Sequence, residues 1–288
     1  MTRVASAEDL GVGIGLRRDH FATLFDQPPG SFDFLEVLTE NFAGFGGRAR
    51  EVLARCAERF PIVLHGVALS IGSLDPLDPA YLDGVAELVA RTGARWWSDH
   101  LCFASAHGVE YHDLVPLPFT REAVDHVAAR IHAVRKRVDA PFLLENPSTY
   151  LRWPTAPDGD GAEAMDEAAF FRAVVEAGDC GILLDVNNVF VNATNHGYDA
   201  RAFIDALPLE RVAQIHLAGH TVRPDIVIDS HAEPVRDEVL DLYAYTIART
   251  GPVATLLEWD HRIPPIATML GEVARIRAAR ARGIDAAR

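Results

Sequence analysis

The stretch GILLDVNN, residues 181–188, begins as an apolar run and ends in a carboxylate followed by two amides. A short, continuously apolar run predicts a strand that is covered on both faces, as the strands of parallel sheets are. A charge at the end of such a strand costs several kcal/mol unless it is paired, hydrogen-bonded or bound to a metal. Asp185 therefore indicates that this strand leads into a functional site.

The same pattern recurs along the chain. Strands are predicted in eight apolar runs bounded by Gly or Pro, at residues 11–17, 32–38, 61–67, 95–101, 141–147, 180–186, 212–218 and 253–259. The segments between them show helical periodicity, as in 120–138, where Thr120 is a candidate N-cap. Strands alternating with helices predict an α/β fold, a (β/α)8 barrel of the TIM type, as a single domain over residues 1–288. Within it, residues 154–164 are predicted to be a surface loop insertion and residues 281–288 a disordered tail.

The composition limits the classes of partner. The chain has 288 residues, 49% of them hydrophobic, which is enough for one large core. Its formal net charge of −14 argues against nucleic acid, because phosphates require a basic face. The N-terminal residues lack the apolar segment of a signal peptide, and no apolar run approaches the ~20 residues of a transmembrane helix. With three widely spaced cysteines, typical of reduced thiols, we expect a cytoplasmic protein with no membrane partner.

Donor side chains follow most of the predicted strands, at the end of the barrel where active sites of this fold lie. These donors are His65, His100, Glu145, Asp185, His216, Asp229, His231 and Glu258. Asn187 or Asn188 can add an amide oxygen. Eight converging imidazoles and carboxylates are better explained by metal ions than by eight separate structural accidents. Such ligands without a thiolate suit Fe, Mn or Zn, so the residues alone leave the metal open.

Other polar residues near the predicted strand ends have structural explanations of equal weight. Glu36 and Glu40 can hydrogen-bond the backbone at the barrel rim, and neither is included in the metal-binding set. His196 and His220 are equally compatible with a structural role and with a role in supporting the ligands. Cys102 is expected to be a buried thiol.

Several segments are together similar to those of a known family. They are HGVALSIGS (65–73), SDHLCF (98–103), DLVPLP (113–118), LLENPS (143–148), LLDVNNVFVNATNHG (183–197), IHLAGH (215–220), IDSHAEPV (228–235) and LLEWD (256–260). In this order they resemble the multinuclear non-haem iron-dependent oxidative enzymes, and the resemblance runs from about residue 11 to residue 265.

The resemblance implies a TIM-type barrel that holds two or three iron ions, as Fe2+ or Fe3+, and uses O2 as co-substrate. It implies the same metal-binding set, with Asn188 as a further member. The implied substrate is a cysteine in a ribosomally synthesised precursor peptide, presented by a helper protein. The motif SDHL departs from the SEHL of many members at Asp99, which we expect to lie behind the ligands.

Two other functions are compatible with the residues. A metal-dependent isomerase or hydrolase on the same barrel would use metal-bound water and a redox-silent metal, so metal identity and O2 uptake discriminate it. A non-catalytic subunit of a peptide-modification complex is the second, and the complete ligand set argues against it.

Overall fold

Eight parallel strands form a closed barrel in the computed structural model, which describes residues 8–44, 46–153 and 165–288. The strands are β1 (Val12–Gly15), β2 (Leu35–Leu38), β3 (Ile62–His65), β4 (Trp97–His100), β5 (Phe103–Ala106), β6 (Val109–Val115), β7 (Phe142–Glu145), β8 (Gly181–Asp185), β9 (Val212–Leu217), β10 (Thr221–Val222), β11 (Val227–Ile228) and β12 (Ala254–Leu257). All except β5, β6, β10 and β11 belong to the barrel, in the order β1-β12-β9-β8-β7-β4-β3-β2. The predicted (β/α)8 barrel is confirmed, and each barrel strand falls within one of the predicted apolar runs.

Helices cover the outside of the barrel. They are α1 (Gly47–Ala57), α2 (Pro79–Thr92), α3 (Arg121–Arg137), α4 (Glu167–Gly178), α5 (Val186–His196), α6 (Ala200–Ala206), α7 (Asp237–Thr250) and α8 (Ile266–Ala286). Thr120 caps α3 as predicted, because its side chain accepts a hydrogen bond from the backbone N–H of Ala123 at 3.2 Å. The connection from β1 to β2, described throughout, contains two 3-10 turns (Arg18–His20 and Leu24–Asp26) in place of an α-helix.

The barrel interior consists of an apolar layer with a polar layer above it. The apolar layer is formed by Leu10, Phe34, Val63, Trp96, Leu143, Leu183, Ala213, Ala254 and Leu256. Side chains alternate along a strand, so the residue two positions further on faces the same side. Two positions beyond Leu143 and Leu183 stand Glu145 and Asp185, which are buried despite their charge. The apolar layer therefore fixes the direction in which the polar layer points.

Two β-hairpins extend the connections that follow barrel strands. The strands β5 and β6 form one, and β10 and β11 form the other. At the turn of the first, His107 and Gly108 both have positive φ, 53° and 72°, as the central residues of a type I′ turn do. This hairpin was not predicted from the sequence, because His-Gly is a weaker turn signal than Asn-Gly or Asp-Gly.

The two smaller segment predictions have different outcomes. The predicted insertion at 154–164 lies outside the described residues. At the C-terminus, α8 continues to Ala286 where the sequence analysis predicts a disordered tail. The reason is contact with α7: Gly283 lies so close that a Cβ there would be 2.5 Å from the backbone oxygen of Ala244, and Ile284 packs on the core. Of the helices described, none is both long and apolar enough to cross a bilayer.

Candidate metal centre

The barrel mouth, the end at which the barrel strands finish, brings the predicted donors together. We define the mouth cluster as His65, His100, Glu145, Asp185, Asn188, His216, Asp229, His231 and Glu258. Sets of three residues with ligand atoms within 4.8 Å of one another are His65–His100–Glu145, Glu36–His216–Glu258, Glu145–Asp185–His216 and Asp185–His231–Glu258. The sets share Glu145, Asp185, His216 and Glu258, so they form one continuous cluster.

His65, His100 and Glu145 come from three adjacent strands, β3, β4 and β7. The Nε2 atoms of His65 and His100 lie 3.5 and 3.4 Å from Oε2 of Glu145. The hydroxyl of Ser98 donates to the backbone oxygen of Leu64, so its oxygen accepts from Nδ1 of His65 at 2.9 Å. That bond leaves Nε2 of His65 as the nitrogen with a lone pair toward the mouth.

His216, on β9, is held from behind by a carboxylate. Its Nε2 donates to Oε2 of Glu36 at 2.9 Å, and the side-chain amide of Gln214 donates to the same oxygen at 2.6 Å. Nδ1 of His216 then faces Oε2 of Glu258 at 3.0 Å. Glu36 therefore bonds side chains and not the rim backbone, whereas Glu40 does accept from the backbone N–H of Val67 at 2.9 Å.

The two side-chain oxygens of Asp185 have different surroundings. Oδ1 accepts from the backbone N–H of Asn188 at 2.6 Å and caps the first turn of α5. Oδ2 is buried in the mouth and has no hydrogen-bond partner among the described residues. Asn188 is fixed by its amide, which donates to the backbone oxygen of Asn146 at 3.1 Å, while its Oδ1 is buried and unpartnered. The strand ends on Asp185 because this residue both starts the helix and faces the cluster.

Asp229 and His231 reach the mouth from the long connection after β9. Oδ1 of Asp229 lies 2.7 Å from Nε2 of His231 and accepts from the side-chain amide of Asn187, also at 2.7 Å. Nδ1 of His231 donates to Oδ2 of Asp260 at 2.8 Å. As in His65 and His216, one nitrogen of His231 is held by the protein and the other faces the cluster.

The buried atoms that face the mouth fit metal ions. Among the described residues, those without a hydrogen-bond partner include Oε2 of Glu145, Oδ2 of Asp185, Oδ1 of Asn188, Nδ1 of His216, Nε2 of His231 and Oε2 of Glu258. Buried polar atoms are normally bonded, so their concentration in one place indicates a ligand. Donor atoms that share one ion at about 2.1 Å lie roughly 3–3.4 Å apart, and the donor distances of 3.0, 3.4 and 3.5 Å given above are close to this.

Burial dominates the acid–base behaviour of one half of the cluster. It raises the pKa of Glu145 well above its ordinary value, and with the charge of Asp229 it raises the pKa of Asp185 to about 8. It lowers the pKa of His65 well below the ordinary range and that of His100 to about 4. For Glu145 and Asp185, burial outweighs the attraction of His216 and His231. The imidazoles of His65 and His100 are favoured in the neutral form, which is the form that binds a metal.

In the other half, attraction between neighbours outweighs burial. Burial alone would lower the pKa of His216, but the carboxylates of Glu36 and Glu258 hold it well above its ordinary value. The pKa of His231 is raised in the same way, against burial, by Asp229 and Glu258. Burial would raise the pKa of Glu258, yet His231 and His216 hold it well below normal. A metal cation would take the place of these protons.

The remaining candidates lie behind or beside the cluster. Nε2 of His196 is 2.8 Å from the backbone oxygen of Thr149, and Nδ1 of His220 is 2.8 Å from Oδ1 of Asn187. Cys102 is fully buried, and burial raises the pKa of its thiol. None of the donor sets among the described residues includes a cysteine.

Three further residues support the ligands from behind. Asp99 was expected there, and it accepts from the backbone N–H of His100 at 2.8 Å. Gln214 and Asp260 were not identified from the sequence, although Gln214 precedes a strand-end histidine by two residues and Asp260 ends the motif LLEWD. Residues two positions before or after a ligand are the signal that could have found both.

Comparisons with known proteins find relatives over nearly the whole chain. The family model "RiPP precursor modification enzyme MbnB/TglH/ChrH" matches residues 11–281, where RiPP denotes a ribosomally synthesised and post-translationally modified peptide. A UPF0276 protein of Anaeromyxobacter sp. is 46% identical over 267 residues, covering 92% of this chain and 91% of the relative. A UPF0276 protein of Bordetella parapertussis is 45% identical over 277 residues, covering 94% and 93%.

Solved structures share the fold at low sequence identity. An L-ribulose 3-epimerase superposes with a TM-score of 0.57 at 14% identity, covering 99% of this chain and 93% of that one. Endonuclease IV from Thermus thermophilus gives a TM-score of 0.57 at 15% identity, covering 94% and 98%. At these identities the likeness concerns the barrel alone.

Proposed function

The chain belongs to the family of RiPP precursor modification enzymes, and on that premise we propose that it oxidises a cysteine of a precursor peptide with iron and O2. Two or three iron ions would occupy the barrel mouth, and a helper protein would present the peptide. The observation that carries the proposal is the convergence of buried, unpartnered imidazole and carboxylate atoms in the mouth cluster.

The members of the mouth cluster would hold the metals. Glu145, Asp185 and Glu258 each lie in two donor sets and would be able to contact neighbouring ions, whereas His216, which also lies in two sets, would offer one ion its Nδ1 because Glu36 holds its Nε2. Carboxylates can bridge two ions, and imidazoles with a second hydrogen-bonded nitrogen make well-oriented terminal ligands. Bound iron would supply a site for a thiolate and redox capacity toward O2, neither of which the side chains possess.

A peptide thiolate is supported by the absence of a protein thiolate from the donor sets of the described residues. The chain's own cysteines are buried, and burial raises the pKa of Cys56 and of Cys180 to about 12. These thiols stay protonated at neutral pH and do not compete for the metals. A sulfur ligand would therefore come from the substrate.

A polypeptide substrate is also supported by the surface around the mouth. The exposed large apolar residues of the described chain are Val67, Leu74, Val109, Tyr111, Tyr150, Leu151, Trp153, Val222 and Ile226. All of them lie in connections that follow β3, β4, β7 or β9, which places them on the side of the barrel that carries the cluster. Exposed apolar residues gathered on one face mark an interaction surface. We call this set the apolar rim.

The test is co-expression of the protein with a precursor peptide and its helper protein, followed by mass spectrometry of the peptide. A mass change that requires iron, O2 and the peptide cysteine is expected. His216→Ala should abolish it together with metal binding, whereas Asp83→Ala, on the outer surface of α2, should have no effect.

Two outcomes would contradict the proposal. One is an unchanged peptide mass with iron loaded and air present, and the other is a modification that persists after the peptide cysteine is replaced by alanine. A protein that purifies with a redox-silent metal and consumes no O2 would favour a metal-dependent isomerase or hydrolase. Full metal content in His216→Ala would remove His216 from the ligand set.

A further inference from the structure

His231 is held in an unusual backbone conformation. Its φ is 45°, in the left-handed region that residues other than glycine seldom adopt. Its backbone oxygen accepts from the backbone N–H of Asp260 at 2.9 Å and from that of His261 at 3.3 Å. Its Nδ1 donates to Oδ2 of Asp260 at 2.8 Å. Asp260 therefore fixes both the main chain and the ring of His231, and such over-determined strain is characteristic of functional sites.

Asp260, which follows β12, is itself held by a residue that follows the neighbouring strand β1. The guanidinium of Arg17, in the connection after β1, pairs with Oδ1 of Asp260, and its Nε donates to the backbone oxygen of Trp259 at 3.1 Å. A Cβ at Gly15 would lie 3.0 Å from Cζ of Arg17, so the absence of a side chain there gives the guanidinium its place. The Arg17 side chain is only 13% exposed.

We propose that Arg17 and Asp260 are positioning residues that present Nε2 of His231, together with Asp229, to a metal ion. The inference rests on the metal binding proposed above. Nδ1 of His231 donates to Oδ2 of Asp260, so Nε2, which lies 2.7 Å from Oδ1 of Asp229, is the nitrogen at which a metal ion would replace a proton. A carboxylate on the outer nitrogen of a ligating histidine fixes its tautomer and ring orientation. Arg17 holds that carboxylate in place, because its guanidinium pairs with Oδ1 and leaves Oδ2 directed at His231.

The test is a Co2+ titration of the metal-free protein, followed by the d–d absorption of the bound ion. Asp260→Ala should weaken the binding of one equivalent of Co2+ by about 10–100-fold and change its absorption bands. Asp260→Asn keeps an acceptor for Nδ1–H and should lose less, and Arg17→Ala should lose affinity in the same direction. Asp83→Ala removes an exposed partner of Arg137, with contacts of 3.0 and 2.7 Å, and should titrate like the wild type.

The outcomes separate this inference from the proposed function. If the wild type binds Co2+ and Asp260→Ala binds it with the same affinity and spectrum, the positioning role is refuted. If Asp260→Ala does not fold, Asp260→Asn and Arg17→Ala decide in its place, and wild-type titrations for both overturn the inference. If the wild type binds no Co2+, Fe2+ or Zn2+, the proposed metal function fails first. For a positioning role, the unfolding midpoint of the metal-free variants should stay at the value of the Asp83→Ala control. A merely structural role would lower that midpoint.

Discussion

The two tasks of Asp185 can be separated by mutation. Asp185→Asn keeps a side-chain oxygen that can cap α5, because Asn is as good an N-cap as Asp, but it removes the charge that faces the cluster. Asp185→Ala removes both. Asp166, whose Oδ1 accepts from the backbone N–H of Ala169 at 2.8 Å, caps α4, is not a member of the cluster and provides the matched control.

The expected magnitudes follow from the capping bond. Replacing an N-cap by alanine costs about 1 kcal/mol, which corresponds to roughly 2 °C in the unfolding midpoint of a protein of this size. In the metal-free protein, Asp166→Ala and Asp185→Ala should each lose the capping bond, and Asp185→Asn should not. The metal content groups the variants differently. Both Asp185 variants should lose bound metal, and Asp166→Ala should retain it.

The pH dependence gives a second measurement on the same variants. The folded protein raises the pKa of Asp185 from 3.8 to about 8, so this carboxyl binds its proton more tightly when the metal-free protein is folded. The stability associated with that proton is present below pH 4 and is lost as the pH rises toward 8. Metal-free Asp185→Asn should therefore gain stability relative to metal-free wild type over this range.

The assays are thermal and urea unfolding of metal-free protein between pH 4 and 8, with elemental analysis of the purified forms. Full metal content in Asp185→Asn would refute the assignment of Oδ2 to a metal. If the stability difference between Asp185→Asn and the wild type does not change with pH, burial does not raise the pKa of Asp185 as described. Equal stability of Asp166→Ala and wild type would show that the capping estimate is wrong for this barrel.

Three further predictions concern the whole protein. Cys56, Cys102 and Cys180 should not react with iodoacetamide in the native protein and should react after unfolding, since all three are buried; fast native labelling read by mass spectrometry would contradict this. Chelation should lower the unfolding midpoint, and restoring Fe2+ at a hundred times its Kd should return about 2.7 kcal/mol of stability; a midpoint indifferent to chelator would exclude a tightly held metal. Tyr111→Ser and Leu151→Ser, on the apolar rim, should raise the KM for the peptide while metal content stays constant, and an unchanged KM would exclude these two residues from peptide contact.

The barrel and the positions of the donors could be predicted because strand ends are local signals. An apolar run that stops on His65 or Glu145 places that residue at the C-terminal end of a barrel strand. The alternation of side chains along the strand then predicts which way the side chain points. The sequence could not pair Glu36 with His216, because these residues are 180 positions apart and meet only when the barrel closes. For the same reason Arg17 and Asp260, which meet across the seam between β1 and β12, had no signal in either motif alone.

The cluster is arranged so that its orientation does not depend on the metals it is proposed to hold. His65, His216 and His231 each have one nitrogen bonded to a protein oxygen, on Ser98, Glu36 and Asp260 in turn. None of these bonds uses one of the unpartnered atoms of the described residues, and the apolar layer beneath the cluster is packed by the barrel strands. Removing the metals would leave the bonds intact but would leave the carboxylates with only His216 and His231 as cationic neighbours. The metal-free protein should therefore keep its fold and its donor geometry, and its loss of stability should come from electrostatic repulsion within the mouth cluster. High salt should restore little of that loss, since screening acts weakly on buried charges.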